Sequence, residues 1–187
     1  MLTFTLIFFL GLIPIGLYYF RQYKIANPKM QWPVLAPLLN LQYEGNPPRM
    51  SGQWNGRMVK IETHGAEQAE QEVVKISLFL AKPSRLRVEI GPREEVAQRA
   101  GLVVPDPVTT GDENFDRKFL ARCNNKATGL EILDAIMRER ILLQERVDIL
   151  GEGNSIRWIV PHAKDPDTLE TMLETLTVIA TEMERFF

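Results

Sequence analysis

The chain has 187 residues, with 22 Lys and Arg against 24 Asp and Glu and a single cysteine. Basic residues such as Arg85, Arg87, Arg93 and Arg99 are interleaved with Glu89, Glu94 and Glu95. Phosphate binding needs a continuous basic face, so nucleic acid is not an expected partner. One cysteine excludes an intrachain disulfide framework and agrees with a reducing compartment.

From Leu2 to Phe20 the sequence LTFTLIFFLGLIPIGLYYF carries no charge. As a helix it would reach roughly 28 Å, about the thickness of the hydrocarbon core of a bilayer. No basic n-region precedes it and no small-x-small cleavage site or lipid-accepting cysteine follows, so residues 1–24 are expected to form a retained transmembrane anchor. Arg21, Lys24 and Lys29 flank only its C-terminal end. Basic flanks are retained in the cytoplasm, which predicts a single-pass protein of the bacterial inner or intracytoplasmic membrane with its N-terminus outside and a cytoplasmic C-terminal domain. Tyr18, Tyr19, Arg21, Lys24 and Trp32 are the expected interfacial anchors. Pro14 predicts a kink, Gly11 and Gly16 thin one part of the helix, and Phe4, Phe8, Phe9 and Phe20 offer packing surface to a neighbouring helix or to lipid. The span has no histidine to ligate haem.

Residues 25–48 read as a juxtamembrane connector, punctuated by Asn27-Pro28, Trp32-Pro33 and Ala36-Pro37, with a short helix ending near Leu41. The EGNPP cluster closes it. Residues 49–187 form one α+β domain in this reading: an antiparallel sheet packed with two main helices. Met50 to Trp54 and Arg57 to Thr63 flank Asn55-Gly56, a pair suited to a type I′ hairpin turn. Val73 to Ala81 and Leu86 to Ile90 predict two strands separated by Lys82-Pro83-Ser84. Arg93 to Arg99 predicts a short exposed helix closed by Gly101. A strand over Phe115 to Cys123 follows, then a helix from Leu130 to Gln144 burying Leu130, Leu133, Ile136, Met137 and Ile141. Val147 to Leu150 and Ile156 to Val160 predict a hairpin around Glu152-Gly153-Asn154. The last helix, Pro166 to Phe187, carries one apolar stripe from Leu169 to Phe187, with Asp165 as N-cap.

No catalytic, cofactor or metal residue emerges. The cluster Gly111-Asp112-Glu113-Asn114-Phe115-Asp116 lacks the register of a calcium loop and reads as a turn starting a strand. Cys123 with His64 or His162 has no motif context, and a cysteine in an apolar strand is usually a small buried hydrophobe. His64 and Glu67 have helical spacing for half a zinc site but no further ligand nearby. Phosphate-binding and hydrolase motifs are absent.

Gly111, Asp112, Phe115, Asp116 and Phe119, followed by a helix and then VDILGEGNSIRWIVP, resemble a G-D-x-x-F-D-x-x-F pattern in uncharacterised bacterial membrane-anchored domains. The match covers about a third of the chain. It implies an α+β domain built to pack and brings no catalytic residues. The expectation is therefore a non-enzymatic membrane subunit, without cofactor, whose partners are the bilayer and other integral membrane subunits of a larger complex; photosynthetic or respiratory hosts fit this layout. The alternative is a membrane-tethered sensor or ligand-binding module with a pocket lined by Trp54, Phe79 and Trp158.

Overall fold

The computed structural model describes residues 31–64, 73–99, 104–161, 163 and 165–187. The expected span and its packing and headgroup residues, Trp32 apart, lie outside them. Among the described residues no helix is long and apolar enough to cross a membrane.

The architecture is α+β, with a seven-stranded antiparallel sheet and helices. The strands are β1 (Gln42–Gly45), β2 (Pro48–Trp54), β3 (Arg57–His64), β4 (Val73–Pro92), β5 (Pro107–Val108), β6 (Phe119–Cys123) and β7 (Ile149–Val160). Their order is β1-β2-β3-β4-β6-β5, and β7 also pairs with β4. β3 holds the first half of β4 and β6 the second, on one edge, while β7 runs along the other. The helices are α1 (Trp32–Leu38), α2 (Arg93–Gln98), α3 (Glu113–Lys118), α4 (Lys126–Ile132), α5 (Ala135–Leu142) and α6 (Pro166–Met183). α6 packs on β4 and β7, α1 on β1 and β2, and α2 on β4 and β6.

The expected hairpin is present: Asn55 and Gly56 take φ of 47° and 77°, the positive values that a type I′ turn demands, and Trp54 pairs with Arg57. α6 also forms as expected at its start. The Asp165 carboxylate accepts from the Thr168 N–H at 2.8 Å, Pro166 occupies the first turn, and Leu169, Met172, Leu173, Leu176, Ile179, Ala180 and Met183 are all buried. The helix ends at Met183, so the stripe stops short of Phe187, which is exposed. α6 can lie this close to the sheet because Gly151 has no side chain; a Cβ there would sit 2.6 Å from Met183 Sδ.

Four expectations are corrected, two by strand pairing and two by helix caps. The strands at Val73–Ala81 and Leu86–Ile90 are one strand, β4, because β7 pairs with both halves, and Lys82-Pro83-Ser84 makes an irregularity rather than a reversal. That irregularity is fastened to the end of α6: Ser84 Oγ donates to Met183 O, and the Arg85 N–H donates to Phe186 O at 2.7 Å. The hairpin expected around Gly153 is likewise one strand, although its ends do approach, since the Ile159 N–H donates to Asp148 O at 2.9 Å. Residues 113–118 are helix α3, and the strand begins only at Phe119. The helix expected from Leu130 to Gln144 is two, α4 and α5, broken where Asp134 caps the second by accepting from the Met137 N–H at 2.7 Å. The break rotates the apolar face, leaving Leu130 and Ile136 exposed while Leu133, Met137 and Ile141 stay buried.

The connector assigned to residues 25–48 is also part of the domain from Trp32 onward. Trp32, Leu35, Ala36, Leu39 and Leu41 belong to the same core as the rest, and β1 pairs with β2. Trp32 presents no ring at the surface. Its side chain is fully buried and its indole N–H donates to Ala163 O at 3.2 Å. α1 ends in a left-handed residue, Asn40, while the Leu41 N–H returns to Ala36 O, which turns the chain directly into β1.

Candidate functional site

Asp112, Asp116 and Cys123 are engaged in capping and packing. Asp112 caps α3 by accepting from the Asn114 and Phe115 N–H groups at 3.1 and 3.2 Å. Those backbone bonds, with a contribution from Arg138, hold its carboxyl below the usual aspartate range against the effect of burial. Asp116 accepts from the N–H groups of Thr110 and Gly111 and from Thr110 Oγ1. Phe115 and Phe119 are buried, with ring centroids 5.4 Å apart. Gly111 takes φ of 79°, beyond easy reach of a side chain. Every position of the G-D-x-x-F-D-x-x-F pattern therefore has a role in capping or packing, but the pattern encodes a helical turn leading into a strand.

Cys123 is buried at the end of β6 against Gly129 of α4. Burial pushes its thiol pKa up, more than the N–H groups of Asn125 and Gly129 lower it, so it is protonated at neutral pH. Glu67 and His162 lie outside the described residues. Among those described, no group of three His, Cys, Asp or Glu side chains could hold a metal.

Trp54, Phe79 and Trp158 do not come together as a pocket. Trp158 points into the core and donates from its indole nitrogen to Arg146 O at 3.1 Å. Phe79 follows the buried Leu78 on β4 and so projects from the opposite face of the sheet. Trp54 packs on the core from the hairpin end.

Among the described residues, three surfaces stand out as open to recognition. The first is a cavity of about 300 Å³ between the α5–β7 connection and the start of α6, lined by Leu143, Val160, Ala163, Leu169 and Met172, with Arg146 and Asp165 at its polar edge. The second is the outward face of β2, β3 and the first half of β4. There Lys75 Nζ meets Glu62 Oε1 at 2.7 Å, Lys60 pairs with the same carboxylate, and Arg157 of β7 lies on the same side. Burial works against the charge on Glu62, but the two ammonium groups hold its pKa below the usual glutamate range.

The third surface is the outer side of α1. Pro33, Val34, Pro37 and Leu38 are exposed, while Trp32, Leu35 and Ala36 face the core. This surface was hidden in the sequence by its own uniformity. WPVLAPL is apolar all round and gives no hint of which side is covered, although its lack of any charge was visible.

No protein-family model matches the chain, and no curated protein matches it in sequence. Among solved structures it is similar to the crystal structure of the mycobacterial trehalose monomycolate transport factor A, TtfA. The TM-score is 0.60 at 11% identity, covering 86% of this chain and 96% of that one. A likeness at that identity is one of fold: the α+β arrangement described above recurs in that mycobacterial protein.

Proposed function

We propose that the chain is a non-enzymatic, single-pass membrane subunit that docks its domain on a larger bacterial membrane complex and stabilises it. The observation that carries this reading is the uncharged Leu2–Phe20 segment leading into a domain in which Asp112, Asp116 and Cys123 serve capping and packing. A tether joined to a rigid domain with uncommitted surfaces suits assembly better than turnover. The transport factor that shares the fold adds a role in transport to the photosynthetic and respiratory hosts that the layout accommodates.

Purification in mild detergent through a tag after the exposed Phe187 tests the proposal. The expected result is a stoichiometric integral membrane partner, and a monodisperse lone chain would refute it. A C-terminal alkaline phosphatase fusion tests the orientation, with no periplasmic activity expected.

The cavity beside α6 favours one second reading, a tethered ligand-binding module. A thermal-shift screen of small amphiphiles separates the two. A stabilising compound whose effect disappears in Met172→Trp would support the module; a scaffold responds to none.

A further inference from the structure

We propose that the outer side of α1 lies in the headgroup–acyl boundary of the membrane, so that the domain rests on the bilayer in one fixed orientation. The inference depends on reading residues 2–20 as a span.

Pro33, Val34, Pro37 and Leu38 form one continuous apolar face, with Val34 69% and Leu38 64% exposed. Burial of Trp32, Leu35 and Ala36 fixes the roll of the helix, so this face cannot turn inward. The outer sides of other helices of this domain are charged: α2 exposes Arg93, Glu94 and Glu95, and α6 exposes Asp167, Glu170 and Glu174. α1 has no charge at all.

Position in the chain selects lipid as the occupant. Eleven residues, 21–31, separate the end of the apolar segment from Trp32. Fully extended they reach at most roughly 40 Å, so α1 begins within that distance of the end of the apolar segment. Those eleven residues include Arg21, Lys24 and Lys29 and no acidic residue, a complement to anionic headgroups. An apolar helix face beside a short cationic tether matches an interfacial helix, whose apolar side enters the boundary by about 5–10 Å.

The test uses the full-length chain reconstituted one copy per nanodisc, in phosphatidylcholine with phosphatidylglycerol. An environment-sensitive fluorophore is placed at Val34→Cys or Leu38→Cys, with Leu143→Cys as an exposed apolar control on another surface. Expected are a blue-shifted emission at 34 and 38, severalfold stronger quenching by spin-labelled lipid than at 143, and protection from aqueous iodide. Quenching at 34 and 38 equal to that at 143 would overturn the proposal. Iodide protection without lipid quenching, appearing only with two copies per disc, would overturn it in favour of a self-interface. Alkaline carbonate extraction is run in parallel. A chain that resists extraction but shows no lipid quenching refutes only the seating of α1, whereas a chain that is extracted refutes the span and the seating with it.

Discussion

α1 and α6 cover the same sheet under opposite rules. α6 has 18 residues with one apolar stripe, buried from Leu169 to Met183, and a remainder that is polar except for the exposed Val178. α1 has 7 residues and apolar side chains on both sides, so half of its apolar surface has no partner within the domain. In α6 folding buries the whole stripe from Leu169 to Met183. In α1 the apolar surface exceeds what folding uses, and such an excess marks a surface for something else. A short helix cannot hold itself together, so α1 is also the more dependent of the two on a single anchor, Trp32.

Trp32→Ala should be the most damaging change, costing about 3–5 kcal/mol, because it removes a fully buried indole and its hydrogen bond to Ala163. Urea unfolding of the detergent-solubilised chain measures this. A loss below that of Leu176→Ala would show that α1 is peripheral to the core.

Leu176→Ala should cost about 2–5 kcal/mol, since Leu176 is fully buried. A Leu176→Asp variant that melts at an unchanged temperature would show that the stripe of α6 is a partner surface after all.

The far end of α6 is fixed by charge. Arg57 Nε and Nη2 donate to Glu184 at 3.0 and 2.6 Å, and the Ala81 N–H donates to the same carboxylate at 2.7 Å. The hydrogen bond from Arg57, opposed by burial and helped by Ala81 and Lys82, holds the Glu184 pKa below the usual glutamate value. A carboxylate whose folded pKa is lowered stabilises the fold above its unfolded pKa and loses that contribution as pH falls through the folded one. Glu184→Gln should therefore lower Tm by a few degrees at neutral pH, and the gap to the parent should close on acidification. A gap that widened in acid would refute the assignment.

Asp165→Ala removes the cap of α6 and should cost about 1 kcal/mol, readable as a lower urea midpoint at unchanged slope. The smallest effect belongs to α1: Val34→Ser with Leu38→Ser should change unfolding stability by no more than about 0.5 kcal/mol per site, because both side chains already face outward. A larger loss would mean that the outer side of α1 contributes to the core, and the contrast between the helices would fail.

The hairpin at Asn55-Gly56, the start of α6 at Asp165 and the burial of its stripe were legible because each depends on neighbours within a few residues. Phe115 illustrates the limit. Its flanks read as strand by composition, yet the Asp112 cap three residues earlier sets a helical turn. The acidic segment read as a turn, but the roles of Asp112 and Asp116 in binding backbone N–H groups were not legible in it.

By itself the sequence determined the uncharged 19-residue segment, the α+β class, the turn and cap chemistry and which side of α6 is apolar, because these follow from local sterics and periodicity. Only the tertiary structure decided that β4 and β7 are each one strand, that Trp32 and α1 belong to the core, and which side of α1 remains uncovered. Strand continuity depends on a partner some 59 to 86 residues away in the β4–β7 register, from Ile90 with Ile149 at one end to Val74 with Val160 at the other, and a uniformly apolar helix acquires an inside and an outside only when something packs against it.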